Sequence, residues 1–201
     1  LTRSGEAERL AAEAGPVDIV IANAGLPANG PLVDFAVEHI DHAIAVNLRS
    51  TIVLVRLLLP AMIERGAGHI VLMASLAGRV PTPSSSIYNA TKFALRGFGY
   101  ALRAELRETG IGVSLVSPTF VAGAGMWAET GLRAHVGETT PDRVAAACLR
   151  AIRENRAEVV VAPRMQRLVS VLALAFPERM QALVKSAVVP DAAIARQQSK
   201  R

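Results

Sequence analysis

The chain has 201 residues, of which 51% are hydrophobic and 19% charged, and its mean hydropathy is +0.34. This is an ordinary globular composition with ample apolar material for one core. The single cysteine, Cys148, excludes an internal disulfide and fits a reducing compartment, so we predict a cytoplasmic location. The net charge of +5 comes from scattered basic residues and aromatic residues make up only 4% of the chain, which disfavours nucleic-acid binding.

Strands and helices alternate along the chain, and this pattern predicts βαβ units with a parallel sheet. Ser4 is the predicted cap of a first helix that ends at Gly15-Pro16. Apolar runs predict buried strands over 17–22, 69–74, 111–117 and 159–162. Helical patterns predict helices over 34–65, 84–110 and 141–155, the first of them as one long helix.

The most informative residues are Ser75, Tyr88 and Lys92. Ser75 follows the second predicted strand, so its hydroxyl is expected at the carboxyl end of a sheet, where open α/β folds bind ligands. Tyr88 and Lys92 lie four residues apart in a predicted helix and therefore share a face. Because an ammonium group favours a neighbouring phenolate, we expect Lys92 to lower the pKa of Tyr88 toward neutrality.

These residues occur with other motifs in a characteristic order. Ser75 and Tyr88-Asn-Ala-Thr-Lys92 are preceded by Ala22-Asn-Ala-Gly25 after a strand and by Asn47 in a helix. From its first residues to about Pro163, the chain resembles the short-chain dehydrogenase/reductases. The resemblance implies an α/β fold with a Rossmann-like doubly wound parallel sheet. It also implies an NAD(P)-dependent oxidoreductase that interconverts a carbonyl and a secondary alcohol.

The resemblance assigns a role to each matching residue. Tyr88 would be the general acid/base, Lys92 would lower its pKa and hold the nicotinamide ribose, and Ser75 would stabilise the substrate oxygen. Asn47 would help to hold a water that links Lys92 to solvent. The residues implied to contact the cofactor, NAD or NADP, are Asn23, Ala24, Gly25, Tyr88, Lys92, Pro118, Thr119 and Val121. No metal site is predicted, because His39 and His42 lack a second pair of ligands.

The chain departs from the family pattern at two places. No glycine-rich turn that would hold dinucleotide phosphates opens the sequence, so we interpret it as about three-quarters of a longer enzyme, lacking the first strands. The first predicted strand would then be an exposed apolar edge, and we predict that these residues do not fold well alone. After the strand ending near Ser117, the family has Pro-Gly and then Thr, whereas this chain has Thr119 and Gly123 at those places.

Two segments near the C-terminus bear on the substrate and the partners. The loop over 124–137 is the predicted substrate lid, and its Met126, Trp127 and Leu132 indicate either an apolar substrate or packing under the loop. Residues 1–163 would form the C-terminal portion of an NAD(P)-binding domain. Residues 164–201 would form an amphipathic helical tail with a basic terminus, as two short helices flanking Pro177.

Three functions are compatible with the sequence. The leading hypothesis is an oxidoreductase acting on a small-molecule carbonyl or alcohol, apolar or lipid-like, and assembled as a homodimer or homotetramer. The second is a non-catalytic remnant or dimer partner that lacks cofactor binding. The third is a membrane-surface module built on the tail helices. The longest apolar stretches, 51–59 and 168–176, are interrupted by Arg56 or stopped by Pro177, which predicts that neither spans a membrane.

Overall fold

The computed structural model describes residues 5–132, 134 and 137–179. Within them, one parallel sheet contains β1 (Ile19–Ala22), β2 (Gly68–Met73), β3 (Ile111–Pro118) and β4 (Glu158–Val161), in that order. The α-helices are α1 (Glu6–Ala14), α2 (Val37–Ile44), α3 (Ser50–Arg65), α4 (Ser86–Glu105), α5 (Gly125–Ala128), α6 (Pro141–Arg153) and α7 (Arg164–Ala175).

Helices cover both faces of the sheet. On one face, Val55 and Met62 of α3 and Leu95 of α4 form a core with Ile70 and Leu72 of β2. On the other face, α6 packs its buried residues against β2, β3 and β4, through Ala147, Cys148, Ala151, Val71, Val116 and Val161. The predicted Rossmann-like, doubly wound parallel sheet is thus confirmed.

The segment predicted as one helix over 34–65 is divided. A short 3₁₀ turn, Leu32–Asp34, precedes α2, and a π-helical turn, Ala45–Arg49, joins α2 to α3. The predicted long helix is therefore present as the helical run Val37–Arg65, although it starts three residues later than expected and is not α-helical throughout. Periodicity in the sequence does not distinguish a π-helical turn from an α-helix, because the turn adds only one residue to the hydrogen-bonded ring.

Several predicted ends shift by a few residues. Helix α4 ends at Glu105 rather than at residue 110, and α6 ends at Arg153 rather than at residue 155. The side chain of Thr140 caps α6 by accepting a hydrogen bond from the Arg143 N–H, a cap that the sequence analysis did not identify. The predicted cap Ser4 lies outside the described residues, and Gly5 occupies the N-cap position of α1.

Strand β1 is an edge strand in this structure. It pairs on one side with β2, in the register Ile19 to His69, and the side chains of Ile19 and Ile21 are 48% and 47% exposed. An apolar edge with free backbone groups is a template for pairing with other chains. The predicted edge is therefore present, and it supports the prediction that the 201 residues do not fold well alone.

We expect the 201-residue chain, expressed by itself, to form aggregates rather than a monodisperse, cooperatively melting species. Size-exclusion chromatography with light scattering measures this directly, with intact mass confirming the chain length. A monodisperse sample with one sharp thermal transition would contradict the expectation.

The helical run Val37–Arg65 has the length and mean hydropathy, 1.6, of a membrane span, although a core helix passes the same test. This run is longer than the apolar stretches considered in the sequence, because the helix continues through Arg56 and Pro60. Its buried residues Val55, Leu58 and Met62 lie within the protein. Core packing therefore explains part of its apolar character.

The tail begins as predicted with a helix, α7, which ends just before Pro177. Helical structure resumes at residues 177–179. Residues 180–201, which contain the rest of the predicted second helix and the basic terminus, lie outside the described residues. The division of the chain at residue 163 stays a prediction.

Candidate active site

A large cavity lies at the carboxyl ends of the strands. Its volume is about 1490 Å³. The segments that follow β1 and β2 and the end of β3 form its walls, as expected for the ligand-binding edge of an open α/β sheet. Nearly all the predicted site residues line it, namely Asn23, Ala24, Gly25, Ser75, Tyr88, Lys92, Pro118, Thr119 and Val121.

Ser75 and Tyr88 both line this cavity, and the nearby Ser75 side chain acts to lower the pKa of Tyr88. Ser75 is the N-cap of a 3₁₀ turn, Leu76–Gly78, and its Oγ accepts the Ala77 N–H at 3.1 Å. The hydroxyl proton of Ser75 is therefore available for the Tyr88 oxygen, and its donation favours the phenolate.

Burial nevertheless dominates the titration of Tyr88. It raises the pKa to about 12, against the smaller, opposing effect of the Ser75 hydrogen bond. The expectation that Lys92 brings this pKa toward neutrality was therefore wrong for this structure. The Lys92 ammonium lies 5.7 Å from the centre of the Tyr88 ring and donates to a backbone carbonyl instead.

Lys92 is a buried cation with spare hydrogen-bond capacity. Its side chain is 3% exposed, and its Nζ donates to the Met73 carbonyl oxygen at 2.9 Å. Burial lowers the pKa of Lys92 to about 8. Since an ammonium group has three N–H donors, Lys92 can also donate to a ligand in the cavity that it lines.

Asn47 lies in the π-helical turn and not on the cavity wall. It is completely buried, and its Oδ1 accepts the Leu26 N–H at 2.6 Å while its Nδ2 donates to the Leu26 carbonyl at 3.0 Å. These bonds hold the segment after β1, where Gly25 lies close to Asn47 and Lys92. The structure thus gives Asn47 a positioning contact, and the predicted water-holding role stays a prediction.

Asn89, next to Tyr88, is a positioning residue that the sequence analysis missed. Its Nδ2 donates to the carbonyls of Ala77 and Val80 at 2.6 and 3.0 Å, and its Oδ1 accepts the Thr82 N–H at 3.3 Å. Asn89 therefore fixes the loop that carries Ser75 against α4. The sequence shows only an asparagine within a predicted helix, and the hydrogen-bond partners of Asn89 become visible only in the fold.

Gly78 permits a close approach between this loop and α4. A Cβ at Gly78 would lie 2.7 Å from the Lys92 carbonyl oxygen, which is a backbone atom that cannot turn away. The absence of a side chain at Gly78 thus sets the distance between the Ser75 loop and the helix of Tyr88 and Lys92.

Replacing Gly78 with Ala is expected to lower the free energy of unfolding by about 1–3 kcal/mol and activity by about 10²-fold, because the loop must move away from α4. Gly97→Ala is the matched control, since Gly97 is exposed in α4 and its Cβ would meet nothing within 4 Å. The control should be more stable by about 0.5–1 kcal/mol. Urea denaturation and turnover of the protein from the complete coding sequence measure the two effects, and equal effects of the two substitutions would contradict the explanation.

The lowered pKa of Lys92 predicts a pH dependence of stability. The unfolded chain keeps the proton up to pH about 10.5, whereas the folded protein loses it near pH 8. Stability conferred through Lys92 therefore rises by about 1.4 kcal/mol per pH unit between these values. We expect this rise in the wild type and not in Lys92→Met, in urea titrations of the protein from the complete coding sequence between pH about 7 and about 9, below the ordinary tyrosine pKa of about 10. Parallel curves for the two proteins would contradict the burial of the charged group.

The segment after β3 shows why the chain departs from the family at Gly123. Gly123 has a φ of +81°, a left-handed backbone conformation that disfavours a threonine. Two residues earlier, Val121 forms an isolated parallel bridge with Thr139. The Thr139 N–H donates to the Phe120 carbonyl, and the Ala122 N–H donates to the Thr139 carbonyl. In such a bridge the backbone N–H and C=O of Val121 itself face away from Thr139.

The apolar part of the cavity is formed by more elements than the sequence analysis anticipated. Phe120 and Trp127 pack with ring centres 4.4 Å apart, and Trp127 is buried and donates its Nε1–H to Glu138 at 2.7 Å. Trp127 thus both packs under the loop and lines the cavity. Met126 also lines the cavity, whereas Leu132 is absent from its described lining. Helices α6 and α7 supply the missed residues, which are Val144, Ala145, Cys148, Leu149, Met165 and Val169.

A Rossmann-like sheet with a serine, a tyrosine and a lysine converging at its carboxyl edge defines a recognisable class of protein. The sequence model of the family described as short chain dehydrogenase matches residues 5–134. The chain therefore belongs to the short-chain dehydrogenase family.

The chain is also similar to individual proteins of this kind. It is 40% identical over 149 residues to the ketoacyl reductase HetN of Nostoc sp., covering 73% of this chain and 52% of that protein. It is 35% identical over 158 residues to dehydrogenase/reductase SDR family member 7B of Xenopus laevis, covering 74% and 49%. The chain thus spans about half the length of the curated relatives it matches.

A solved structure shows the same architecture. The closed form of serine dehydrogenase complexed with NADP+ superposes with a TM-score of 0.68 and 26% sequence identity, over 81% of this chain and 72% of that one.

Proposed function

We propose that this chain belongs to an NAD(P)-dependent oxidoreductase that interconverts a carbonyl and a secondary alcohol, with Tyr88 as the general acid/base. The observation that carries the proposal is the convergence of Ser75, Tyr88 and Lys92 on one cavity. A phenol and a hydroxyl at one point suit the transfer of a proton to or from a substrate oxygen.

The protonation state of Tyr88 favours carbonyl reduction. With a pKa of about 12, Tyr88 is protonated at neutral pH and is ready to donate its proton to a carbonyl oxygen. Ser75 then donates a hydrogen bond to the same oxygen as negative charge develops there. The nicotinamide cofactor, when bound, supplies the hydride. The Lys92 ammonium, close to Tyr88, stabilises the phenolate left after proton transfer. A proton from solvent then restores the Tyr88 hydroxyl.

The residues around the cavity fit a nicotinamide nucleoside. Lys92 has donors to spare for ribose hydroxyls, and Asn23, Ala24 and Gly25 present backbone beside it. Pro118, Thr119 and Val121 line the same cavity at the end of β3. These features support binding of NAD or NADP. They do not include a glycine-rich turn for the phosphates, so the proposal concerns the protein produced from the complete coding sequence.

An apolar or lipid-like substrate is the second part of the proposal. The cavity that Tyr88 lines is also lined by apolar side chains. They come from Phe120, Met126 and Trp127 and from residues of α6 and α7. The name of the Nostoc relative, a ketoacyl reductase, agrees with a carbonyl on an apolar chain. We expect kcat/KM to rise along a series of ketones of increasing chain length, since each buried methylene contributes about 0.8 kcal/mol.

Fluorescence titration with NADH and with NADPH tests cofactor binding. The protein from the complete coding sequence should bind at least one of them and quench or shift its emission. If it binds neither, the oxidoreductase proposal fails and the alternative, a non-catalytic remnant or dimer partner, is favoured.

Exposed apolar side chains on α3 and α4 support a homodimer or homotetramer. Leu57 and Ile63 of α3 and Tyr100 of α4 are 38%, 46% and 38% exposed. Light scattering of the complete protein measures the assembly. The membrane-surface alternative rests on α7, whose Leu168 and Val171 are exposed near Arg164. Co-sedimentation with liposomes, with and without residues 164–201, tests it.

A further inference from the structure

A second, smaller concavity lies on the far side of α7 from the cavity of Tyr88. Its volume is about 270 Å³, and the C-terminal part of α6, strand β4 and α7 enclose it. Its lining is rich in arginine, with Arg79, Arg150, Arg156 and Arg167 contributed by four separate segments. We call it the arginine cleft.

Two carboxylates hold most of these arginines in place. Glu154 accepts from Arg150 at 3.2 Å and from Arg156 at 2.7 Å. Glu158 is buried and pairs with Arg79 and with Arg96. Four guanidinium groups line the cleft, and three of them pair with the two carboxylates Glu154 and Glu158, so a positive excess remains. The arginines are also oriented in advance, which lowers the entropic cost of binding an anion.

Arg167 supplies the cation that these pairs leave over. Its Nε donates to the Ala162 carbonyl at 2.8 Å, which fixes the guanidinium plane. Among residues 5–132, 134 and 137–179, no carboxylate lies within ion-pair distance of it. Arg167 lines the cleft, and a guanidinium group offers paired N–H donors that match two phosphate oxygens.

We propose that the arginine cleft binds a phosphate group of a small phosphorylated ligand. Guanidinium groups bind phosphate through paired N–H donors, and several of them converge here on one concavity. The cleft is smaller than pockets that enclose whole organic ligands, which typically measure about 300–1,000 Å³. It fits one or two phosphates rather than a nucleotide, and no part of the oxidoreductase proposal depends on it.

The position of the cleft gives the bound anion a route to the active site. Met165 and Val169 on one side of α7 line the cavity of Tyr88, while Arg167 and Val171 on another side line the cleft. An anion held by Arg167 and Arg150 would tie α7 to α6 and so fix one apolar wall of that cavity.

Isothermal titration calorimetry with inorganic pyrophosphate tests the proposal on the protein from the complete coding sequence. Sodium chloride at matched ionic strength is the reference for non-specific screening. We expect saturable binding by the wild type and binding weaker by about tenfold or more in Arg167→Ala and in Arg150→Ala. Arg143→Ala removes an exposed arginine from the same helix, α6, outside the cleft, and it should bind like the wild type.

The arginine variants separate this cleft from any nucleotide phosphate site, because neither Arg150 nor Arg167 lines the cavity of Tyr88. Unchanged thermal melting of the variants shows that they fold. Equal pyrophosphate binding by wild type and Arg167→Ala, or no binding beyond the chloride reference, would overturn the proposal.

The phosphate could come from a free ligand or from a lipid headgroup, because the exposed Leu168 and Val171 lie beside the cleft. Co-sedimentation with phosphatidylglycerol vesicles, against phosphatidylcholine vesicles, distinguishes the two. Sedimentation that Arg167→Ala abolishes identifies a lipid headgroup. Pyrophosphate binding without sedimentation identifies a free ligand, and the absence of both overturns the site.

Discussion

Replacing Tyr88 with Phe is expected to lower kcat for carbonyl reduction by about 10²–10⁴-fold, the usual contribution of a positioned general acid. The substitution removes only the hydroxyl, so the apolar contacts of the ring remain. The Ser75 hydroxyl would still reach the substrate oxygen, but no group at that point would deliver a proton. Steady-state oxidation of the reduced nucleotide in the presence of a ketone measures the loss.

Two controls make this prediction specific. Nucleotide binding should persist in Tyr88→Phe, because the predicted ribose contact belongs to Lys92. Tyr100→Phe makes the same change at the other tyrosine of the chain, which lies outside the cavity of Tyr88. Full turnover by Tyr88→Phe, or an equal loss in Tyr100→Phe, would contradict the acid/base assignment.

Replacing Glu158 with Ala is expected to lower the free energy of unfolding by about 3–5 kcal/mol, because it leaves a buried charge without its partner. The Glu158 carboxylate pairs with Arg79 and Arg96 and accepts from Tyr100 at 2.8 Å and Ser117 at 2.7 Å. Arg79 is 9% exposed, so its charge would remain inside the protein. Urea denaturation of the protein from the complete coding sequence, at neutral pH, measures the difference.

The titration of Glu158 determines how the difference in free energy of unfolding between wild type and Glu158→Ala changes with pH. Burial alone would raise the pKa of Glu158, but hydrogen bonds from Ser117 and Tyr100 and the charges of Arg79 and Arg96 lower it overall. Its contribution is therefore complete above the ordinary glutamate pKa of about 4.3 and is lost as the pH falls through the lowered value. Wild type and Glu158→Ala should converge in stability in acid.

The matched control is Glu154→Gln. Glu154 also pairs with two arginines, Arg150 and Arg156, but all three side chains are about half exposed. Water screens such pairs, so the control should unfold close to the wild type. Equal destabilisation by both substitutions would show that burial does not set the value of the Glu158 network.

The site could be predicted from the sequence where short-range rules apply. Ser75 follows an apolar strand, and Tyr88 and Lys92 are separated by one helical turn, so local geometry already brings them to one edge. The same rule placed Gly25 after β1 and Pro118 at the end of β3, the two strands that flank β2. These positions need only the strand order of a parallel sheet, which alternating elements predict.

The titration of the site could not be predicted in this way. The sequence shows that Lys92 is near Tyr88, but not that both groups are desolvated or that Lys92 donates to the Met73 carbonyl. Burial depends on the packing of α4 against the sheet and on the loop that Gly78 admits. Because desolvation acts on each group separately, it outweighed the mutual effect that spacing alone suggested.

Long-range partners account for the other differences. The π-helical turn around Asn47 goes with hydrogen bonds to Leu26, which is 21 residues away. Val144, Cys148 and Met165 line the cavity although α6 and α7 lie far from Tyr88 in the sequence. Neither feature has a local signature, since a core helix and a cavity wall share the same apolar periodicity.

Carbonyl reduction with Tyr88 as the general acid is tested most directly by measuring hydride transfer by the protein from its complete coding sequence. The protein is mixed with NADH or NADPH and an apolar ketone, and loss of the reduced nucleotide is followed together with formation of the secondary alcohol. We expect the wild type to consume nucleotide and ketone in equal amounts, and Tyr88→Phe to retain nucleotide binding with little turnover. A wild-type protein that binds nucleotide but transfers no hydride to any ketone in a chain-length series, or a Tyr88→Phe variant with undiminished turnover, would contradict it.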